Sequence, residues 1–206
     1  MNSSTLIIGV TGGAGSGKTT FVRLLHQLGA DTLDVDDLAR RLVEDSPDIR
    51  RALRRAFGDR FFNPDGSLRR RELGRMVFSD PSRLDKLNRI VWPPMLDLLK
   101  AEIHLWRSEH PSGILAADMA VLFEAGAEPL FDRTVLVTAP ETVRAHRLRL
   151  QRKWDDHEIR GRMRSQLTDT EKSRRADAVV PNPGPAETLE RHARSLMDAW
   201  KKSISN

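Results

Sequence analysis

A β-branched apolar run, Thr5-Leu6-Ile7-Ile8-Gly9-Val10-Thr11, passes directly into Gly12-Gly13-Ala14-Gly15-Ser16-Gly17-Lys18-Thr19. Phe21, Leu24, Leu25 and Leu28 then recur at helical spacing, so the order is strand, glycine loop, helix. The pattern Gly-x4-Gly-Lys-Thr in that context confines the chain to few folds. Glycines let successive backbone N–H groups turn inward around phosphate oxygens, and a helix N-terminus behind them adds its dipole. Residues Gly13, Ala14, Gly15, Ser16, Gly17, Lys18, Thr19 and Thr20 are therefore expected to cradle a nucleoside triphosphate, ATP. Lys18 is expected to bridge the β- and γ-phosphates, and the Thr19 hydroxyl to coordinate Mg²⁺. A cradle of this kind serves GTPases, helicases, transporters and metabolite kinases, and does not by itself choose an acceptor.

Gly29 stops the first helix, and Asp31-Thr32-Leu33-Asp34-Val35 reads as a second strand feeding a helix from about Asp36 to Glu44. Alternation of strand and helix implies a parallel sheet covered by helices, with the loop and the end of strand two at one carboxyl edge. Asp34, Asp36 and Asp37 fall at that edge, where a carboxylate can accept the proton of an attacking hydroxyl or cap the next helix. From Pro47 to about Arg107 the pattern is helical, broken at Asn63-Pro64-Asp65-Gly66 and at Ser79-Asp80-Pro81. Strands are expected again at 114–118, 134–137 and 178–180, with one long arginine-rich helical stretch from Glu141 to about Ala176. Pro181, Pro183, Gly184 and Pro185 read as a turn before a terminal amphipathic helix, 186–201.

Composition narrows the class. A chain of 206 residues with 39% hydrophobic and 31% charged residues suits one globular domain, and no apolar run approaches the ~20 residues of a membrane span. Met1-Asn2-Ser3-Ser4 lacks the marks of a secretory signal. The absence of cysteine excludes disulfides and thiolate chemistry and is compatible with the cytoplasm. A net charge of +5 attracts anions, but aromatics are only 5% and tyrosine is absent, so a base-stacking platform for nucleic acid is not expected. The six histidines are scattered without ligand spacing, and no protein-bound transition metal is expected.

Taken together, the loop Thr11 to Thr19 and Asp34-Val35-Asp36-Asp37-Leu38-Ala39-Arg40 resemble dephospho-CoA kinase. Gly66, Leu68, Arg70, Leu73, Val77 and Phe78 fit that family's helical pattern, followed by its Leu87-Asn88 pair. Leu122-Phe123-Glu124, Gln166, Lys172 and Ala176-Asp177-Ala178-Val179-Val180-Pro181-Asn182 continue the match over nearly the whole chain. The resemblance implies an α/β fold: a P-loop NTPase three-layer sandwich with a five-stranded parallel sheet, a helical substrate-binding insertion and a helical lid. The expected single domain has its core at about 1–45, 112–140 and 176–206, the CoA-binding insertion at 46–111 and the lid at 141–175.

By the same resemblance Asp36 is the expected general base for phosphorylation of the ribose 3′-hydroxyl of dephospho-CoA by ATP, with Lys18 as its catalytic partner. Arg40, Leu122 and Glu124 are expected beside the acceptor, Arg147 at phosphate or in the lid, and Asn182 at the ATP base. The implied partner is a small molecule, with no nucleic acid or membrane, and the chain is expected to be a monomer or weak homo-oligomer. The sequence departs from the family at Trp92-Pro93, where a His-Pro pair is usual, at Ala120-Val121-Leu122 for Pro-Leu-Leu, and at Gln151 for an arginine. Because the departures at Trp92 and Ala120 fall where the acceptor is expected, another small acceptor such as a nucleotide is an alternative. A nucleotide-binding regulatory protein without catalysis is a second.

Overall fold

The computed structural model describes residues 4–184 and 186–204; Met1 to Ser3, Pro185 and the last two residues, with the expectations that fall on them, lie outside. Its centre is a five-stranded parallel sheet in the order β2-β3-β1-β4-β5, built from β1 (Ser4–Thr11), β2 (Asp31–Asp34), β3 (Ser112–Asp118), β4 (Arg133–Thr138) and β5 (Ala178–Pro181). Side chains alternate across it as strand pleating requires. Ile8, Val10, Ile114 and Ala116 face α1 (Lys18–Gln27) and α9 (Ala186–Ile204), where Phe21, Leu25, Leu189 and Met197 complete one core. Ile7, Leu115 and Ala117 face α2 (Val35–Asp45) and the second half of α5 (Pro81–Glu109), where Val35, Leu38, Met95 and Leu99 complete the other.

Between α2 and α5 in the chain come α3 (Pro47–Phe57) and α4 (Arg70–Phe78), which share a third cluster of Val43, Leu53, Phe61, Phe62, Leu73 and Val77. The first half of α5 packs on this cluster through Leu84, Leu87 and Val91, so α5 belongs to both the sheet layer and the helical segment. Trp92, at the hand-over, is half-buried against the sheet-side core, where its bulk fills space. Among the described residues no helix is long and apolar enough to cross a membrane.

The long helical stretch expected from Glu141 consists of three helices: α6 (Glu141–Arg152), α7 (Asp156–Arg164) and α8 (Asp169–Ser173). Lys153 takes a left-handed conformation (φ 53°) that ends α6, and Asp155 caps α7 by accepting the Glu158 N–H. Thr168 and Glu171 form a capping box that starts α8. This broken course lets α7 turn onto α4. There the Arg162 guanidinium lies 4.3 Å from the Phe78 ring centre and 4.1 Å from that of Trp154.

Candidate active site

The glycine loop joins β1 to α1 with Gly15 at φ 79° and Gly17 at φ 95°, conformations that side chains other than glycine's resist. A Cβ on Gly17 would also come within 2.1 Å of Asn182 Nδ2, and one on Gly12 within 2.5 Å of the Val137 carbonyl of β4. The loop is thus seated against its surroundings. Asn182 Nδ2 donates to the Ser16 carbonyl at 2.7 Å, and Arg147 Nη1 to the carbonyls of Gly15 and Ser16 at 3.3 Å each. Arg147 Nη2 donates to the Asn182 carbonyl at 3.3 Å. Asn182 and Arg147 therefore hold loop carbonyls; the Ala14 N–H donates to Gln166 Oε1 and the Ser16 N–H to the Gly13 carbonyl, both at 3.0 Å, which leaves the other N–H groups of the loop for an anion.

Lys18 and Thr19 open α1 and converge on one residue that sequence reasoning left as a strand end: Asp118, the last residue of β3. Lys18 Nζ pairs with Asp118 Oδ1, and the Thr19 hydroxyl donates to Asp118 Oδ2 at 2.9 Å. The pair is buried, so removing either partner would strand the other's charge. Burial also lowers the Lys18 ammonium from the ordinary lysine value, an effect that Asp36 and Asp34 offset and Lys172 reinforces. The signal for Asp118 is present in Ile114-Leu115-Ala116-Ala117-Asp118, an apolar strand ending in a carboxylate at the carboxyl edge of a sheet.

The aspartates Asp34, Asp36 and Asp37, at the end of β2 and the start of α2, divide their work. Asp34 is the N-cap of α2 and accepts the Asp37 N–H at 2.9 Å, which is why the helix begins at Val35, inside the stretch expected as strand. Asp37 pairs with Arg40 and Arg41. Asp36 accepts no hydrogen bond and forms no close ion pair among the described residues. Surrounding protein raises its carboxyl pKa above the ordinary aspartate value, an effect that Lys18 opposes and Asp34 reinforces. A solvent-accessible carboxylate with a raised pKa and no protein partner, at the same sheet edge as the loop, is suited to take a proton.

Other expected acceptor residues are placed differently. Arg40 lies along α2 against Asp37 and Glu44 and is half-exposed. Leu122 is fully buried in the sheet-side core, where its side chain offers a ligand no surface. Glu124 Oε1 accepts from Lys172 Nζ and from the Leu167 N–H, both at 2.9 Å. Arg144, which is not among the expected site residues, covers Gly13 and donates through Nε to the Ala14 carbonyl at 3.0 Å.

The family model for dephospho-CoA kinase matches residues 6–187, almost the whole described chain. The chain belongs to the dephospho-CoA kinase family. Relatives named dephospho-CoA kinase include one from Moorella thermoacetica, 37% identical over 95% of this chain and 91% of its own, and one from Leifsonia xyli, 38% identical over 94% and 96%. Among solved structures, TT1252 from Thermus thermophilus superposes with a TM-score of 0.75 at 37% identity, covering 95% of this chain and 97% of that one. The dephospho-CoA kinase from Campylobacter jejuni (TM-score 0.62, 16% identity, 97% and 99% covered) and a shikimate kinase from Acinetobacter baumannii (0.57, 15%, 98% and 96%) share the fold. The expected P-loop kinase architecture is thereby established.

Proposed function

We propose that this protein transfers the γ-phosphoryl group of ATP to the ribose 3′-hydroxyl of dephospho-CoA, giving CoA and ADP. The observation that carries the chemistry is the unpartnered Asp36 carboxylate at the sheet edge, within electrostatic reach of Lys18. Asp36 accepts the hydroxyl proton as the new O–P bond forms. The bond from the γ-phosphorus to the β–γ bridging oxygen breaks, and that oxygen leaves on ADP. Lys18 draws on its buried position to offset the charge on the moving group, and the loop N–H groups hold the β-phosphate.

The donor set fits Mg²⁺. Among the described residues no group of three or more His, Cys, Asp or Glu could hold a metal alone, but the Thr19 hydroxyl lies against the Asp118 carboxylate at the loop. A small hard cation bound chiefly through substrate phosphates needs one or two such protein oxygens. Thr19 and Asp118 would hold it, and when bound it supplies charge neutralisation at the phosphates.

Trp92, in place of the family's histidine, is accommodated by packing against the core, which supports retaining dephospho-CoA as the acceptor. A cytoplasmic location and a monomeric or weakly associating state complete the reading, the first compatible with a cysteine-free chain. The test is ADP release from Mg-ATP across a panel of acceptors. Dephospho-CoA should be preferred; preference for a nucleoside monophosphate would sink the acceptor assignment, and binding without turnover for every acceptor would favour a regulatory role.

A further inference from the structure

Gln166 and Lys172 have no part in the chemistry above, yet they bracket a segment that touches the phosphate loop at one end and the turn after β3 at the other. Gln166 Oε1 accepts the Ala14 N–H at 3.0 Å. The Leu167 N–H and Lys172 Nζ both donate to Glu124 Oε1 at 2.9 Å, and Lys172 Nζ also donates to the Ala120 carbonyl at 3.1 Å. That carbonyl accepts the Thr11 hydroxyl at 3.2 Å, from the residue just before Gly12. The other polar group of Ala14, its carbonyl, accepts Arg144 Nε, and Arg144 pairs with Asp169 of the same segment at 3.3 Å. Ala14 is therefore held from both sides.

Lys172 is 0% exposed and Glu124 has 9% of its side chain exposed. Stability alone gives little reason for such a pair, because desolvating both charges offsets most of their attraction and an apolar pair would serve as well. What an ammonium supplies is direction: its N–H groups fix Glu124 and Ala120 at the same point.

We propose that Lys172 is a positioning residue for phosphoryl transfer which, through Glu124 and Gln166, fixes Ala14 and with it the shape of the phosphate cradle. The cradle works only if its N–H groups converge, and a displacement of about 1 Å can cost on the order of 10²-fold in rate. Loss of the tether is read in nucleotide affinity, because the tether acts on the loop and not on the acceptor side.

The proposal rests on the nucleotide half of the functional reading, so the test is calorimetric titration of the full-length protein with Mg-ATP and no acceptor. Gln166→Leu and Lys172→Met should each weaken binding about tenfold. The double variant should be no more than about twofold weaker than the worse single one, since both changes cut one chain of contacts. Lys172→Met with Glu124→Gln removes the stranded carboxylate; it should regain melting temperature relative to Lys172→Met without regaining affinity. Wild-type affinity in Gln166→Leu, multiplying effects in the double variant, or affinity restored together with stability would each overturn the proposal, the last by making the pair a simple strut. Gln166→Leu changes no charge and keeps the test available if the lysine variants do not fold. Were the wild type to bind Mg-ATP and leave dephospho-CoA unchanged, the acceptor assignment would fall and this proposal would stand.

Discussion

The Thr19 hydroxyl donates to Oδ2 of Asp118 at 2.9 Å, while Lys18, one residue earlier, sets its ammonium against the other oxygen of the same carboxylate. Consecutive residues of the loop thus converge on a single acid 99 positions away from Thr19, at the end of a neighbouring strand. The site is assembled by strand order. Asp118→Asn leaves the buried Lys18 without its counter-charge, which should cost on the order of a few kcal/mol in denaturant unfolding. Turnover should fall by a factor of order 10² or more, with half-maximal activity displaced to higher Mg²⁺. An unchanged Mg²⁺ dependence would remove Asp118 from the cation site.

Asp36→Asn should lower turnover by a factor of order 10² or more while Mg-ATP binding persists, as measured by single-turnover kinetics and titration. An intact rate removes Asp36 from the role of base.

The raised pKa of Asp36 gives two pH signatures. Activity needs the carboxylate, so kcat/KM should fall as pH drops through a value above the ordinary aspartate range. For stability the sign is opposite. A folded-state pKa above the unfolded one means that the folded chain holds the proton better, so the stabilisation is full below the unfolded value of about 3.9 and is lost as pH rises through the folded value. Near pH 7 Asp36→Asn should therefore melt above the wild type, and the gain should vanish on acidification below about pH 4. A variant that melts at or below the wild type at neutral pH would contradict the raised pKa.

Gly12→Ala tests the seat of the loop. The added Cβ meets Ser16 Oγ and the Val137 carbonyl, both at 2.5 Å, and a central-strand carbonyl cannot yield. The loop must move, so Mg-ATP affinity should drop at least about tenfold. Overpacking should cost about 1–3 kcal/mol in thermal or chemical unfolding.

Arg162→Ala removes a guanidinium held against Phe78 and Trp154. Each cation–π contact is worth about 0.5–2 kcal/mol. Hydrogen exchange should speed up in α7 while amides of the central strands keep their protection; unchanged exchange in α7 would show that the contact does not hold it to α4.

Much of this architecture is local in origin. The five strands fall close to where apolar runs end in turn residues, and the loop's glycines announce their geometry because only glycine accepts the required φ. The aspartate cluster was legible as a set but not as roles: which member caps depends on where α2 starts, and Asp34 settles that by accepting the Asp37 N–H. The family resemblance singles out Arg147, but Arg144 looks like any other member of a run of charged helix, and only the approach of α6 to the loop separates it from solvated neighbours. Asp177 reads as part of a family motif; folded, its carboxylate accepts the N–H and hydroxyl of Thr134 at 2.7 and 2.8 Å and so pins the start of β4.

By itself the sequence determined the nucleotide cradle, the α/β alternation and the family, because each is written in neighbouring residues whose backbone preferences and periodicity act over one or two turns. Tertiary structure decided which carboxylate faces Lys18 and Thr19, that Leu122 is core, and that Ala14 is gripped by Gln166 and Arg144. Those pairings join residues far apart in the chain, whose meeting depends on the order of parallel strands and on the two breaks between α6 and α8, which only the folded protein shows.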